Sequence, residues 1–266
     1  MEGPGVRMMV EELAPFTGRR VVSAGGSGRI DHAGITGQDL LSVHCIGKIL
    51  FIGFPRVSLR IHFLMWGRYR VNDPVEGKVP RLTLQFGDGS QLDFYTTAVR
   101  LLHNGEVARL HDPALDPMDD RWDEGRSLAR AREKAGELIC DTLLDQEVLA
   151  GPGNVIKNEV LYSARIHPET PTRRIPDRRL LGLFREVRDY SLRWLEQKRQ
   201  GNRKPATAIY QRGTCPSCGG KVRSGRTGRF RRISFWCPAC QTEERCGEPR
   251  GRPGKGTRDP APVRRM

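Results

Sequence analysis

The 266-residue sequence has no long apolar run. No stretch approaches the roughly 18 apolar residues that a membrane-spanning helix needs. With 37% hydrophobic residues and a mean hydropathy of −0.53, an integral membrane protein is excluded. The opening Met-Glu-Gly-Pro-Gly-Val-Arg-Met-Met-Val-Glu-Glu lacks the apolar core of a secretion signal and carries carboxylates at once. A cytosolic location, nucleoid-associated if the source is bacterial, is expected, with the seven cysteines as ligands or buried thiols rather than disulfides. No internal repeat is visible. Acidic residues become scarce along the chain: residues 1–150 hold 18 Lys+Arg and 21 Asp+Glu, net −3, whereas residues 151–266 hold 27 and 10, net +17. The resulting +14 makes a polyanion the first partner to expect and gives no role to a membrane.

What is present divides the chain. Val6, Met9, Val10 and Leu13 fall at helical spacing. Alternation then takes over in Val57–Phe63 and again in Leu82-Thr-Leu-Gln-Phe86, turn, Leu92-Asp-Phe94, which reads as a β-hairpin. Short strands with turn signals point to a sandwich or barrel. The acidic, Pro-bearing stretch from Asp112 to Gly125 reads as an inter-domain linker. From about 127 to 200 the pattern is helical, with one apolar stripe of Leu138, Ile139, Leu143, Leu144 and Val148 and another from Leu180 to Leu195. Gly201–Thr207 reads as a second linker, and residues 242–266 as a disordered basic tail. The expected division is 1–117, 118–205, 206–241 and 242–266.

Three signals carry chemistry. Cys215-Pro-Ser-Cys218 and Cys237-Pro-Ala-Cys240, 18 residues apart, supply four thiolates for one closed, structural Zn2+ site; paired redox thiols are the alternative. The intervening ribbon holds Lys221, Arg223, Arg226, Arg229, Arg231 and Arg232 and no acid, as a finger laid on a phosphate backbone would, or a solvated loop. In Leu149-Ala-Gly-Pro-Gly-Asn-Val155 two glycines flank a proline, a turn whose amides could approach an anion with Asn154 at a helix start; an ordinary capped turn between helices fits the spacing equally. Finally, Glu2 stands beside the α-amine, the one amine largely neutral a little above pH 7. Such an amine can form a Schiff base with a sugar carbon while Glu2 shuttles protons, or it can be a frayed end.

Taken in order, these motifs resemble the formamidopyrimidine-DNA glycosylase/endonuclease VIII (Nei) superfamily. The resembling residues are Glu2-Gly-Pro4, Gly47-Lys48, Ile61-His-Phe-Leu-Met-Trp-Gly67, Leu143-Leu-Asp-Gln146, Ala150-Gly-Pro-Gly-Asn154, Asn158-Glu159, Ile166-His-Pro168, Tyr210-Gln-Arg-Gly213 and the four-Cys finger. The resemblance implies an α+β, multidomain chain with an N-terminal β-sandwich behind an opening helix, a helix–two-turns–helix domain and a C-terminal zinc finger. It implies a monomeric DNA glycosylase/AP lyase that flips and excises oxidised bases from single- or double-stranded damaged DNA and then nicks the strand. Met1 and Glu2 would be nucleophile and general acid/base, and Lys48 would contact phosphate and assist proton transfer. Asn154 and Arg232 would grip the backbone, and Met65 would enter the gap left by the flipped base; a surface Lys48 and a core Met65 are the alternatives.

Two departures bear on this. Residue 1 is Met, where the family usually presents Pro, and an aminopeptidase should not remove Met before Glu. Either Met1 supplies the primary amine, or the chain has lost its lyase step and keeps lesion or branched-DNA binding, or the start is misread and a Val amine precedes Glu2, as in the vertebrate Nei-like branch. Phe94–Arg100 also lacks the Arg-Arg-Phe motif of the formamidopyrimidine branch, which shifts the expected lesions toward oxidised pyrimidines, hydantoins or single strands. Cys45 and Cys140 are expected as buried thiols; Cys246 has no assigned role.

Overall fold

The computed structural model describes residues 1–103, 105–202 and 204–242; the expected basic tail beyond 242, with Cys246, lies outside them. Helix α1 (Gly3–Leu13) starts with Pro4 in its first turn, where a missing N–H costs nothing, and buries Val6, Met9 and Leu13 on one face. Each such side chain withdrawn from water contributes about 1.5–3 kcal/mol.

Six strands follow: β1 (Val21–Gly25), β2 (Ser42–Ile46), β3 (Ile49–Gly53), β4 (Val57–Val71), β5 (Leu82–Phe86) and β6 (Gln91–His103). They form one antiparallel sheet in the order β1-β5-β6-β4-β3-β2. The expected hairpin is there, with Leu82 opposite Phe94 and Leu84 opposite Leu92. The β-sandwich is this sheet folded on itself. The long strands β4 and β6 run through both halves, and residues from all six strands enclose a core that includes Leu50, Ile52, Leu59, Leu84 and Phe94. The pairing of β4 with β6 breaks once, between Phe63↔Thr97 and Arg68↔Tyr95, so that Leu64, Met65, Trp66 and Gly67 face only Thr96.

A short helix, α2 (Glu106–Leu110), follows β6 and packs Val107 against the sheet. The helical half holds α3 (Glu124–Glu133), α4 (Ile139–Thr142), α5 (Asn154–Ser163) and α6 (Asp177–Arg199). Its core gathers Ile139, Leu143, Val148, Ile156, Val160, Leu180, Phe184 and Val187. Of the stripe at 138–148, Ile139, Leu143 and Val148 are core and Leu138 packs against it, but the helix there spans only the four residues Ile139–Thr142. The finger is the hairpin β7 (Arg223–Thr227) and β8 (Arg232–Trp236), with Arg223 opposite Trp236. Cys45 and Cys140 are buried, and burial pushes their thiols up, to about 12 and about 11. Among the described residues no helix is long and apolar enough to cross a membrane.

The stretch from Asp112 to Gly125 does connect the two halves, but it is not a loose linker. Asp116 is almost fully buried and accepts from the backbone N–H of Gly47 (2.8 Å) and Met118 (2.9 Å). Its carboxylate thereby ties the β2–β3 turn to the entry of the helical half.

Candidate active site

The site grows from a helix that cannot cap itself. The first turn of α5 is preceded by Gly153, which offers no side-chain acceptor, so its N–H groups need an outside partner. Glu2 supplies it from the other end of the chain. Oε1 accepts from Val155 N–H at 2.8 Å, and Oε2 from Gly153 at 3.0 Å and Ile156 at 3.2 Å. Anion, amide donors and helix dipole reinforce one another. A carboxylate offers about four acceptor positions, so one on Oε1 stays open among the described residues.

Two glycines make the close approach possible. A Cβ on Gly153 would fall 2.5 Å from Glu2 Cδ. Gly47 has φ +56° and its missing Cβ would fall 2.7 Å from Gly151 N. Gly3 N–H donates to Gly151 O at 3.0 Å. The Ala150–Asn154 turn thus lies directly on the chain start and on the β2–β3 turn, which carries Lys48.

Four charges meet there. Burial lowers the Met1 α-amine below its ordinary value near 8; Lys48 and Arg232 lower it further, while Glu2 opposes them. Lys48 is pushed down to about 8 by burial, against the pull of Glu2 and with help from Arg232. His62 on β4 is lowered by burial first, then by Arg60, Lys48 and the amine. Met1, Glu2, Lys48 and Arg232, distant in sequence, therefore share one electrostatic environment: two amines biased toward their neutral forms beside a fixed carboxylate.

Asn154 opens α5 but turns toward the finger, donating from Nδ2 to Ile233 O at 3.0 Å, while its Oδ1 is buried without a hydrogen-bond partner among the described residues. Arg232 is exposed at the start of β8. Met65 is 68% exposed, flanked by Trp66 at 79%, so it is not a core residue. It stands on the β4 interruption, three residues beyond His62, rather than among the charged groups. A cavity of about 700 Å³ between sheet and α3 shares Lys48 and His62 with the site and is otherwise lined by Arg60, His111, Arg126 and Arg130 among others.

The four cysteine sulfurs lie within 4.8 Å of one another, with Cys215–Cys240 at 3.8 Å and Cys218–Cys237 at 3.5 Å. Thiolates about 2.3 Å from a tetrahedral zinc stand about 3.8 Å apart, so the cluster could hold a metal ion of this kind.

Sequence reasoning gave no role to Lys157, His62 or Asp141. His62 lies inside the motif Ile61–Gly67, and Lys157 immediately precedes the pair Asn158-Glu159. Asp141 accepts from the finger amides of Arg229 (2.8 Å) and Phe230 (3.2 Å), and nothing in the sequence marks it.

Residues 114–204 match the family profile "Formamidopyrimidine-DNA glycosylase H2TH domain". The chain is 35% identical over 234 residues to Endonuclease 8-like 2 of Bos taurus, covering 83% of this chain and 68% of that protein. It is 29% identical over 235 residues to Endonuclease 8-like 3 of Xenopus laevis, covering 84% and 38%. Among solved structures it is similar to a viral DNA glycosylase (TM-score 0.77, 22% identity, 91% of this chain and all of that one). It is also similar to the Lactococcus lactis formamidopyrimidine-DNA glycosylase bound non-covalently to DNA containing an AP site (TM-score 0.79, 23% identity, the same coverage). The chain thus belongs to the formamidopyrimidine-DNA glycosylase/endonuclease VIII superfamily, in its Nei-like branch.

Proposed function

We propose that the protein is a DNA-repair glycosylase that removes oxidised bases and then cleaves the abasic strand as an AP lyase. The observation that carries this reading is Glu2: a carboxylate fixed by three backbone amides, beside an α-amine that burial favours in its neutral form. The damaged nucleotide flips out of the duplex toward residue 1. The neutral Met1 amine attacks C1′, the N-glycosidic bond breaks, and the base leaves with a proton. The open acceptor position on Glu2 receives and returns protons as the sugar ring opens to a Schiff base, from which elimination releases the 3′ phosphate. Lys48 binds phosphate and assists proton transfer.

Arg232 and Asn154 hold the backbone around the lesion, and Met65 enters the vacated space. Cys215, Cys218, Cys237 and Cys240 would hold one zinc ion, whose chemistry is structural because all four positions are protein ligands. The protein acts as a monomer on damaged DNA.

The test is borohydride trapping on oligonucleotides bearing oxidised bases or abasic sites, with mass spectrometry of the adduct at residue 1. A covalent adduct and base release that disappears in Glu2→Gln are expected. Base release without an adduct would remove the lyase half, and intact binding without base release would leave a lesion-binding protein of the same fold, the reading favoured by Met where the family usually has Pro.

A further inference from the structure

Lys157 is fully buried, and both acceptors of its Nζ are on the finger strand β8: Ser234 Oγ at 2.8 Å and Ile233 O at 3.3 Å. Among the described residues no carboxylate lies within ion-pair distance of it. The same Ile233 carbonyl accepts from Asn154 Nδ2 at 3.0 Å and Asn158 Nδ2 at 3.4 Å, and Asn158 Oδ1 accepts from Phe235 N–H at 2.7 Å. Ser234 Oγ lies 2.6 Å from Thr227 Oγ1, which ties β8 back to β7. Every one of these bonds falls on the three residues that follow Arg232.

A buried amine without a counter-charge is a poor way to gain stability; an apolar side chain of similar volume would be cheaper to bury. Burial pushes Lys157 down to about 8, with Cys140 drawing it up and Arg232 down. What the amine gains is direction. α5 carries Lys157, Asn158 and Asn154 on the face turned to β8, while its first turn holds Glu2. One helix therefore sets both the carboxylate and the strand that launches Arg232.

We infer that Lys157 is a positioning residue that fixes β8 on α5 so that Arg232 projects toward the Met1 amine and Lys48. The inference rests on the proposed function only for its DNA-binding arm. The test uses the full zinc-loaded chain with Lys157→Met, Arg232→Ala and the double variant. Each is titrated by fluorescence anisotropy with a duplex carrying a tetrahydrofuran abasic analogue, and amide hydrogen exchange is followed without DNA.

Lys157→Met should weaken binding about tenfold, and the double variant should bind no more weakly than Arg232→Ala alone, because coupled residues are not additive. Exchange of the Ile233–Trp236 amides should accelerate about tenfold with zinc still one per chain. Ser234→Ala, which removes one of the two acceptors of the amine together with the Thr227 contact, should show the same pattern and serves if Lys157→Met does not fold. Losses that multiply in the double variant, or unchanged exchange in β8, would overturn the inference. Wild-type base release is followed separately: its absence together with a non-additive cycle would sink the glycosylase reading and leave the positioning role standing.

Discussion

Gly153→Ala probes the hold on Glu2 without touching any side chain that could do chemistry. Gly153 has φ −122° and ψ −156°, a backbone that alanine can adopt, so the substitution acts through contact rather than strain. The added methyl would fall 2.5 Å from Glu2 Cδ and 2.7 Å from Oε1, and the carboxylate has to move. Hydrogen bonds to a charged group contribute about 1.5–3 kcal/mol each, and three are at stake. Losing one or two costs about 2–4 kcal/mol, a fall of roughly 5–10 °C in Tm for a chain of this size.

Base release should fall as well, by about 10²–10⁴, the usual contribution of a positioned acid/base, because the carboxylate leaves its place beside the amine. Glu2→Gln supplies the contrast: it keeps the shape and part of the bonding, so Tm should drop by only a few degrees while base release falls just as far. Thermal unfolding followed by circular dichroism and single-turnover release from an oxidised-base duplex measure the two effects. A Gly153→Ala protein that melts and cuts like wild type would refute the claim that this turn holds Glu2.

The amine must be neutral to attack, so the trapping rate should rise with pH and level off above the amine pKa, at a midpoint below pH 8 because burial lowers it. Arg232→Ala removes a nearby cation and should shift that midpoint upward in a pH–trapping profile; an unmoved or lower midpoint would contradict the site's electrostatics. Chelation or Cys215→Ser should release one zinc per chain by mass spectrometry and weaken DNA binding, while the far-ultraviolet signature of the N-terminal sheet persists. Met65→Ala and Trp66→Ala, both at exposed positions, should change stability by less than about 0.5 kcal/mol yet reduce cleavage of duplex more than of single strands, which have no gap to fill; equal loss on both substrates would rule out insertion.

Much of this was legible in the sequence because it rests on local patterns. The spacing of Val6, Met9 and Leu13 marks α1, alternation marks the β5–β6 hairpin, and two CxxC pairs mark the four-sulfur cluster. The charges were harder to read. Asp112–Gly125 looks like a solvated linker because composition does not reveal that Asp116 satisfies the amides of Gly47 and Met118. Lys157 looks like one more cation in a basic half, although it is wholly inside and its acceptors lie more than 70 residues away. The stripe at 138–148 has helical spacing, but Asp145 bonds the amide of Glu147 two residues on, Asp141 is drawn to the finger amides of Arg229 and Phe230, and the chain turns after one short helix. The partners that decide these cases include backbone amides and carbonyls and, for Lys157, the hydroxyl of Ser234, which side-chain periodicity does not encode.

The interruption in β4 fixes which side of a complex has to give way. Leu64, Met65 and Trp66 project from a point where β4 is laddered to β6 both before and after it, so both ends of the projection are anchored in the longest strand pair of the sheet. In the proposed complex the anchored flanks hold the projection in place, and the work of deformation falls chiefly on the nucleic acid. Sites whose stacking is already weakened, whether by damage, a mismatch or a missing partner strand, are then engaged at the lowest cost, and selection begins with the softness of the DNA before any base is read.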